Sequence, residues 1–161
     1  MKKLILVALM SCSSLAFAYD SANVYVTNNT TYPLYAQWKS VSTDSHCHDS
    51  VDASLFDVDP GNSYHDNIDV TKYSDECVYN VNVYDYNSTE YYAHVATVKV
   101  TVTTSPDTYN DKGTPKVAYI SKYDITYCDK NLLNDCSVKL DDTIDTTDNA
   151  THYNKLYFNL N

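Results

Sequence analysis

The sequence predicts an all-β fold, an antiparallel β-sandwich of about eight to ten short strands that is stabilised by disulfides. Polar and apolar residues alternate along several segments, as they do in strands with one buried face. Turn-forming residues separate those segments, and no segment has the periodicity of a helix. Tyr, Val and Thr favour strands, whereas the abundant Asp, Asn and Ser disfavour helix interiors.

The clearest alternation lies in the segment 78–104, which predicts a β-hairpin. Tyr79, Val81 and Val83 share one face of the first arm, and the opposite face carries asparagines. In the second arm, alanine and valine residues alternate with threonines and a lysine. The residues between the arms, 87–90, are rich in turn formers, which favours a short antiparallel connection.

Shorter alternating segments predict the remaining strands. Before the hairpin, Trp38 shares its face with Leu34 and Ala36, which predicts that Trp38 anchors the core. Further along, Leu132-Leu133 favours a single helical turn, and the aspartate-rich segment 141–154 predicts a solvated loop. The predicted strands outside the hairpin are 22–27, 34–39, 54–58, 63–70, 116–122 with its continuation 125–128, 137–140 and 155–160.

One pattern in the first half of the chain has a known counterpart. The run 26–34 (Val-x-Asn-x-Thr-x-x-Pro-Leu), followed by 58–61 (Val-x-Pro-Gly), resembles the opening of many secreted β-sandwich proteins. The resemblance implies an Asn-Thr turn between two strands and a Pro-Gly turn after the third. It is shared by unrelated families and implies no active site.

Residues 1–18 predict a cleavable secretory signal peptide. Lys2 and Lys3 precede an apolar run, and residues 16–18 (Ala-Phe-Ala) provide a small-x-small cleavage site. The run is too short for a membrane span, so we expect no transmembrane segment in the mature chain. Residues 19–161 then form a single domain in the periplasm or outside a bacterial cell. The alternative is a lipoprotein signal, in which Cys12 is lipidated and begins the mature chain.

The charge of the chain argues against nucleic-acid binding. All 11 basic residues are lysines, and the 21 acidic residues are almost all aspartates, which gives a formal net charge of −10. Removal of Lys2 and Lys3 with the signal peptide would change this charge from −10 to −12. Contacts with nucleic acid depend on clustered Lys and Arg, and a negative field of this size repels phosphate.

Four cysteines follow residue 18, and they predict two disulfides, because an even count is typical of exported disulfide-bonded chains. Three pairings are possible, and we favour the local ones, Cys47–Cys77 and Cys128–Cys136. The entropy of the unfolded chain predicts that the longer loop contributes about 3–4 kcal/mol to stability and the shorter about 2.5 kcal/mol.

The tip of the hairpin is the leading candidate for a binding surface, formed by Tyr84, Tyr86, Asn87, Tyr91 and Tyr92. Planar rings beside amides can stack on sugar faces and hydrogen-bond sugar hydroxyls, or can anchor a protein partner. The sequence therefore predicts a binding protein that recognises a glycan or a protein. The alternative is cross-strand aromatic pairing that only stabilises the hairpin.

A metal site is the second candidate. In an extended segment His46 and His48 project to the same side, as two ligands of one Zn²⁺ or Cu²⁺ would, and a third ligand could come from His65, Asp44 or Asp49. The alternative is a pair of exposed loop histidines beside a disulfide-bonded Cys47. The aspartate-rich segments 57–62 and 141–148 carry carboxylates of the kind that Ca²⁺ prefers, but neither matches an EF-hand loop.

Catalysis has the weakest support in the sequence. No nucleophile-elbow, zinc-protease or phosphate-binding glycine motif is present, and no carboxylate pair stands out as a general acid and base. We therefore expect binding rather than turnover. A secreted hydrolase on a sandwich scaffold is the remaining alternative, and it would need several carboxylates that converge on one pocket.

Overall fold

The computed structural model describes residues 22–42, 47, 54–68, 76–86, 92–104, 118–145 and 151–161. Within these residues the chain forms nine strands and no helix. No segment there could cross a membrane as a helix. The strands are β1 (Ala22–Asn28), β2 (Leu34–Ser40), β3 (Phe56–Val58), β4 (Ser63–Ile68), β5 (Cys77–Tyr86), β6 (Tyr92–Thr104), β7 (Ala118–Cys128), β8 (Cys136–Asp145) and β9 (Thr151–Leu160).

The strands form two sheets, which confirms the predicted sandwich. The small sheet has the strand order β4-β1-β9-β8, and the large sheet has the order β3-β2-β5-β6-β7. The predicted hairpin is the antiparallel pair of β5 and β6 at the centre of the large sheet. One pair differs from the antiparallel expectation, because β1 and β9 run parallel. These strands are far apart in sequence, so no tight turn constrains their relative direction.

The core lies between the sheets and is built by alternate residues of each strand. Trp38 is fully buried, as predicted, and its ring centroid lies 5.9 Å from that of Phe56 and 5.5 Å from that of Tyr64. Phe56 and Tyr64 stack on each other at 4.5 Å. Because β2 and β3 belong to the large sheet and β4 to the small sheet, this cluster ties the two sheets together at one edge.

The prediction of a solvated loop over residues 141–154 is wrong for much of this segment, since β8 continues to Asp145 and β9 begins at Thr151. Asn154 explains why a polar segment enters the sandwich. It is 2% exposed, accepts a hydrogen bond from the Ile120 amide (2.8 Å) and donates one to the Ile120 carbonyl (2.9 Å). Its side chain thus takes the place of a backbone partner for β7, and it joins the small sheet to the large one.

Both favoured disulfides are confirmed. The Cys47–Cys77 disulfide joins cysteines that are 30 residues apart in sequence. It links the buried Cys47, which follows β2, to the start of β5. Cys128–Cys136 closes a separation of 8 residues and connects β7 of the large sheet to β8 of the small sheet. Between Cys128 and Cys136 the predicted turn is present. The Leu133 amide donates to the Asp129 carbonyl (2.9 Å), and the Leu133 side chain is buried.

Candidate functional site

The outer face of the large sheet gathers aromatic rings next to amide side chains. Strand register places Tyr35 opposite Tyr84, and Tyr84 opposite His94. The adjacent row consists of Gln37, Asn82, Thr97 and Tyr127, in that order across β2, β5, β6 and β7. We call the ring-bearing part of this face the aromatic patch, and its members are Tyr35, Tyr84, Tyr92, His94 and Tyr127.

A β-bulge in β6 places His94 on the outer face. Val83 pairs with Ala96 and Tyr84 pairs with His94, so Val95 is an additional residue on β6. Strict alternation from Ala96 would have turned His94 towards the core, and the bulge reverses this. The Val95 side chain is buried, and its carbonyl accepts a hydrogen bond from the Asp129 amide (2.8 Å), which fixes the bulge to the loop after β7.

A second bulge, in β7, places Tyr127 beside His94. Thr97 pairs with Tyr127 and Val98 pairs with Ile125, which leaves Thr126 as the additional residue. Ile125 can therefore pack against the core while Tyr127 points outwards. Bulges often re-aim a side chain at a functional site, and here two of them converge on one pair of rings.

The rings of the patch contact one another at defined angles. His94 and Tyr127 are stacked, with centroids 4.8 Å apart and planes at 20°. Tyr84 and His94 are tilted at 5.4 Å and 47°, and Tyr35 meets Tyr92 edge to face at 5.1 Å. Since β7 is the edge strand of its sheet, no further strand of the described chain covers the side of Tyr127 opposite His94, and Tyr127 is 41% exposed.

A hydrogen-bond network fixes the polar groups under these rings. The Thr97 hydroxyl donates to Asn82 Oδ1 (3.0 Å), so it accepts from His94 Nε2–H (2.6 Å). Neutral His94 then carries its proton on Nε2 and keeps Nδ1 as an acceptor. Within the described residues neither His94 Nδ1 nor Asn82 Nδ2 has a hydrogen-bond partner. The patch therefore offers a ligand one acceptor and one amide donor beside exposed rings.

The structure brings together part of the predicted hairpin-tip site. Tyr84 and Tyr92 both belong to the aromatic patch, and Tyr92 is 44% exposed. Tyr86 ends β5 in register with Tyr92, whereas Asn87 and Tyr91 lie outside the described residues. Sequence reasoning missed three further members, which are Tyr35, His94 and Tyr127.

Of the three predicted metal ligands, His65 alone lies within the described residues. It sits on the outer face of the small sheet and stacks on Tyr25 at 4.8 Å, and Tyr25 stacks in turn on Tyr157 at 5.0 Å. His46 and His48 lie outside the described residues. Among the described residues, no three His, Cys, Asp or Glu side chains are grouped closely enough to hold a metal ion. The Zn²⁺, Cu²⁺ and Ca²⁺ hypotheses stay predictions.

Several carboxylates lie at the end of the sandwich that carries the β1–β2 turn and the β7–β8 loop. The polar groups at this end stabilise the fold. Burial raises the pKa of Tyr32, and the carboxylates of Asp85 and Asp129 raise it further. Its hydroxyl donates to the Leu132 carbonyl (2.6 Å), which ties the β1–β2 turn to the β7–β8 loop. In that loop Lys130 bonds Asp135 at 2.8 Å and lowers the pKa of this carboxyl.

Comparison of the chain with models of known protein families finds no match, and comparison with curated proteins finds none either.

Proposed function

We propose that this chain is an exported, non-catalytic glycan-binding protein and that the aromatic patch is its binding surface. The observation that carries the proposal is the His94–Tyr127 stack at the edge of the large sheet, with one side of Tyr127 uncovered by any described strand. Both disulfides support export, because such bonds persist in oxidising compartments.

The chemistry of the patch suits a sugar. One face of a pyranose presents C–H groups that pack on an aromatic ring, and its rim presents hydroxyls that need donors and acceptors. Tyr127 supplies the ring, and the stack on His94 holds it in one orientation. His94 Nδ1 and Asn82 Nδ2 supply an acceptor and a donor on the same face.

The expected affinity for one sugar is low. An aromatic contact contributes about 0.5–1.5 kcal/mol beyond the area that it buries. With a few hydrogen bonds, this gives a dissociation constant on the order of 1 mM for a monosaccharide. The patch continues across several strands to Tyr35 and Tyr92, so we expect tighter binding of oligosaccharides that span it.

A glycan array probed with the wild type, Tyr127→Ala and Tyr123→Ala tests the proposal. Tyr123 is a matched control, because it lies on the same strand and is 43% exposed, but its register with Val100 places it on the opposite face of the sheet. We expect Tyr127→Ala to weaken oligosaccharide binding about tenfold or more, a loss of about 1.4 kcal/mol. Tyr123→Ala and Tyr127→Phe should bind as the wild type does. The proposal would be contradicted if the wild type and Tyr127→Ala bound glycans equally well, or if the wild type bound no glycan on the array.

A further inference from the structure

We propose that the glycan recognised by the aromatic patch is an acidic oligosaccharide, with carboxylates on successive sugars bound by Lys99 and Lys39. This inference rests on the proposed function and specifies the class of ligand. Lys39 on β2 and Lys99 on β6 both lie in register with Asn80 on β5, one on each side of it. Together with Asp124 on β7, which is in register with Lys99, these side chains form a row directly next to the row that contains Asn82, Thr97 and Tyr127.

The spacing of the rows matches the size of a sugar. Positions two residues apart on a strand are separated by about 6.6 Å, and positions two strands apart by about 10 Å. A sugar ring that stacks on Tyr127 and projects its carboxylate across the sheet towards β6 can therefore bring that carboxylate near Lys99, whereas a carboxylate that projects along β7 would meet Asp124. Lys39 lies across Asn80 from Lys99 and can contact the next residue of an oligosaccharide. The flexible lysine side chains can each reach across part of this distance.

The lack of ion pairs at Lys39 and Lys99 among the described residues supports an anionic ligand. Both are exposed, and neither forms an ion pair with a described residue. By contrast, Lys122 bonds Glu76 and Lys130 bonds Asp135, each at 2.8 Å. In a chain with 21 acidic and 11 basic residues, carboxylate partners are plentiful, so two lysines that form no ion pair with a described residue are available to a ligand.

Other charges near the row limit the kind of anion that fits. Asp124 on β7 lies in register with Lys99 and is exposed, and Lys122 on the same strand is held by Glu76. The net charge of −10 also opposes a dense polyanion. Charges further away than about 8 Å are largely screened at physiological ionic strength. The local field is therefore set by Lys39, Lys99, Asp124 and the carboxylate of Asp129, whose Oδ2 lies 3.5 Å from the Tyr127 hydroxyl. A sugar with isolated carboxylates, such as a uronate or a sialic acid, fits better than a phosphodiester chain.

The test compares each acidic oligosaccharide on an array with its methyl ester, which has the same skeleton without the charge. We expect the wild type to bind the acid at least about tenfold more tightly, and to lose affinity as salt rises from about 50 to about 300 mM. The double variant Lys39→Gln/Lys99→Gln should lose this preference. The matched control Lys139→Gln/Lys155→Gln removes the same charge from the outer face of the small sheet and should keep it.

The outcomes separate this inference from the proposed function. If acid and ester bind equally well and Tyr127→Ala abolishes both, the glycan-binding function stands and the acidic ligand is wrong. The acidic ligand is also wrong if Lys39→Gln/Lys99→Gln keeps the preference for the acid. If no glycan binds to the wild type, both proposals are wrong.

Discussion

The substitution Asn28→Asp is expected to lower the free energy of unfolding by about 3–5 kcal/mol, although it exchanges a single NH₂ group for oxygen. Asn28 ends β1 and is fully buried. Its Nδ2 donates to the carbonyls of Tyr32 (2.9 Å) and Val58 (2.7 Å). Its Oδ1 accepts from the amide (2.9 Å) and the hydroxyl (2.7 Å) of Thr30. One side chain thus organises the β1–β2 turn and holds β3 against it.

An aspartate at this position keeps the acceptor and loses the donor. It would place a buried negative charge against two carbonyl oxygens. The Val58 carbonyl would lose its amide donor, and the Tyr32 carbonyl would keep only the Thr30 hydroxyl (2.9 Å). The neighbouring Asn29 gives a matched control, because its amide donates to Asn161 Oδ1 (3.0 Å) in an exposed position. We expect Asn29→Asp to cost less than about 1 kcal/mol.

Urea unfolding of the wild type and the two variants at neutral pH measures these free energies. The cost of Asn28→Asp should shrink at acidic pH, because the protonated carboxyl is neutral and can donate one hydrogen bond. A cost below about 1 kcal/mol at neutral pH, or equal costs for Asn28→Asp and Asn29→Asp, would show that the contacts of Asn28 do not hold this end of the sandwich.

Removal of the Cys47–Cys77 disulfide is expected to cost more than removal of Cys128–Cys136. The separations of 30 and 8 residues predict about 3–4 and about 2.5 kcal/mol from the entropy of the unfolded chain. The order is reinforced by burial, because Cys77 is fully buried whereas Cys136 is 9% exposed. Against a typical domain stability of about 5–15 kcal/mol, the first loss is large.

Two double variants, Cys47→Ala/Cys77→Ala and Cys128→Ala/Cys136→Ala, isolate these contributions in guanidinium unfolding under non-reducing conditions. Each variant removes both sulfurs of one bridge, so no free thiol remains at the altered site to form wrong pairs. We expect the midpoint of Cys47→Ala/Cys77→Ala to be the lower of the two. A lower midpoint for Cys128→Ala/Cys136→Ala would show that the tie between the two sheets matters more than the length of the closed loop.

The fold class follows from alternation, but the direction of individual side chains does not. The inward faces of Val81 and Val83 on β5, of Val98, Val100 and Val102 on β6, and of Trp38 were predictable because the alternation around them is uninterrupted. His94 and Tyr127 were not, because a bulge next to each reverses the face expected from the residues around it. A bulge leaves no mark in composition, since the additional residues Val95 and Thr126 are ordinary strand formers.

The polar end of β8 and the polar start of β9 were missed for a different reason. Asn154 occupies a buried position that alternation assigns to an apolar residue, and it is tolerated there because Ile120 satisfies its amide. Partners that are distant in sequence, such as β1 and β9, are also invisible to local patterns. The disulfide pairing was predictable because both loops are local. The aromatic patch was predictable only through Tyr84 and Tyr92, which the hairpin brings together.

Amide chemical-shift mapping by NMR, with the oligosaccharide that binds most tightly, tests directly whether the outer face of the large sheet is the binding surface. We expect the largest shift changes at Asn82, His94, Thr97 and Tyr127, and no response from Tyr25, His65 and Tyr157 on the outer face of the small sheet. Changes centred on those three residues of the small sheet, or no change at a saturating concentration of any glycan, would contradict this expectation.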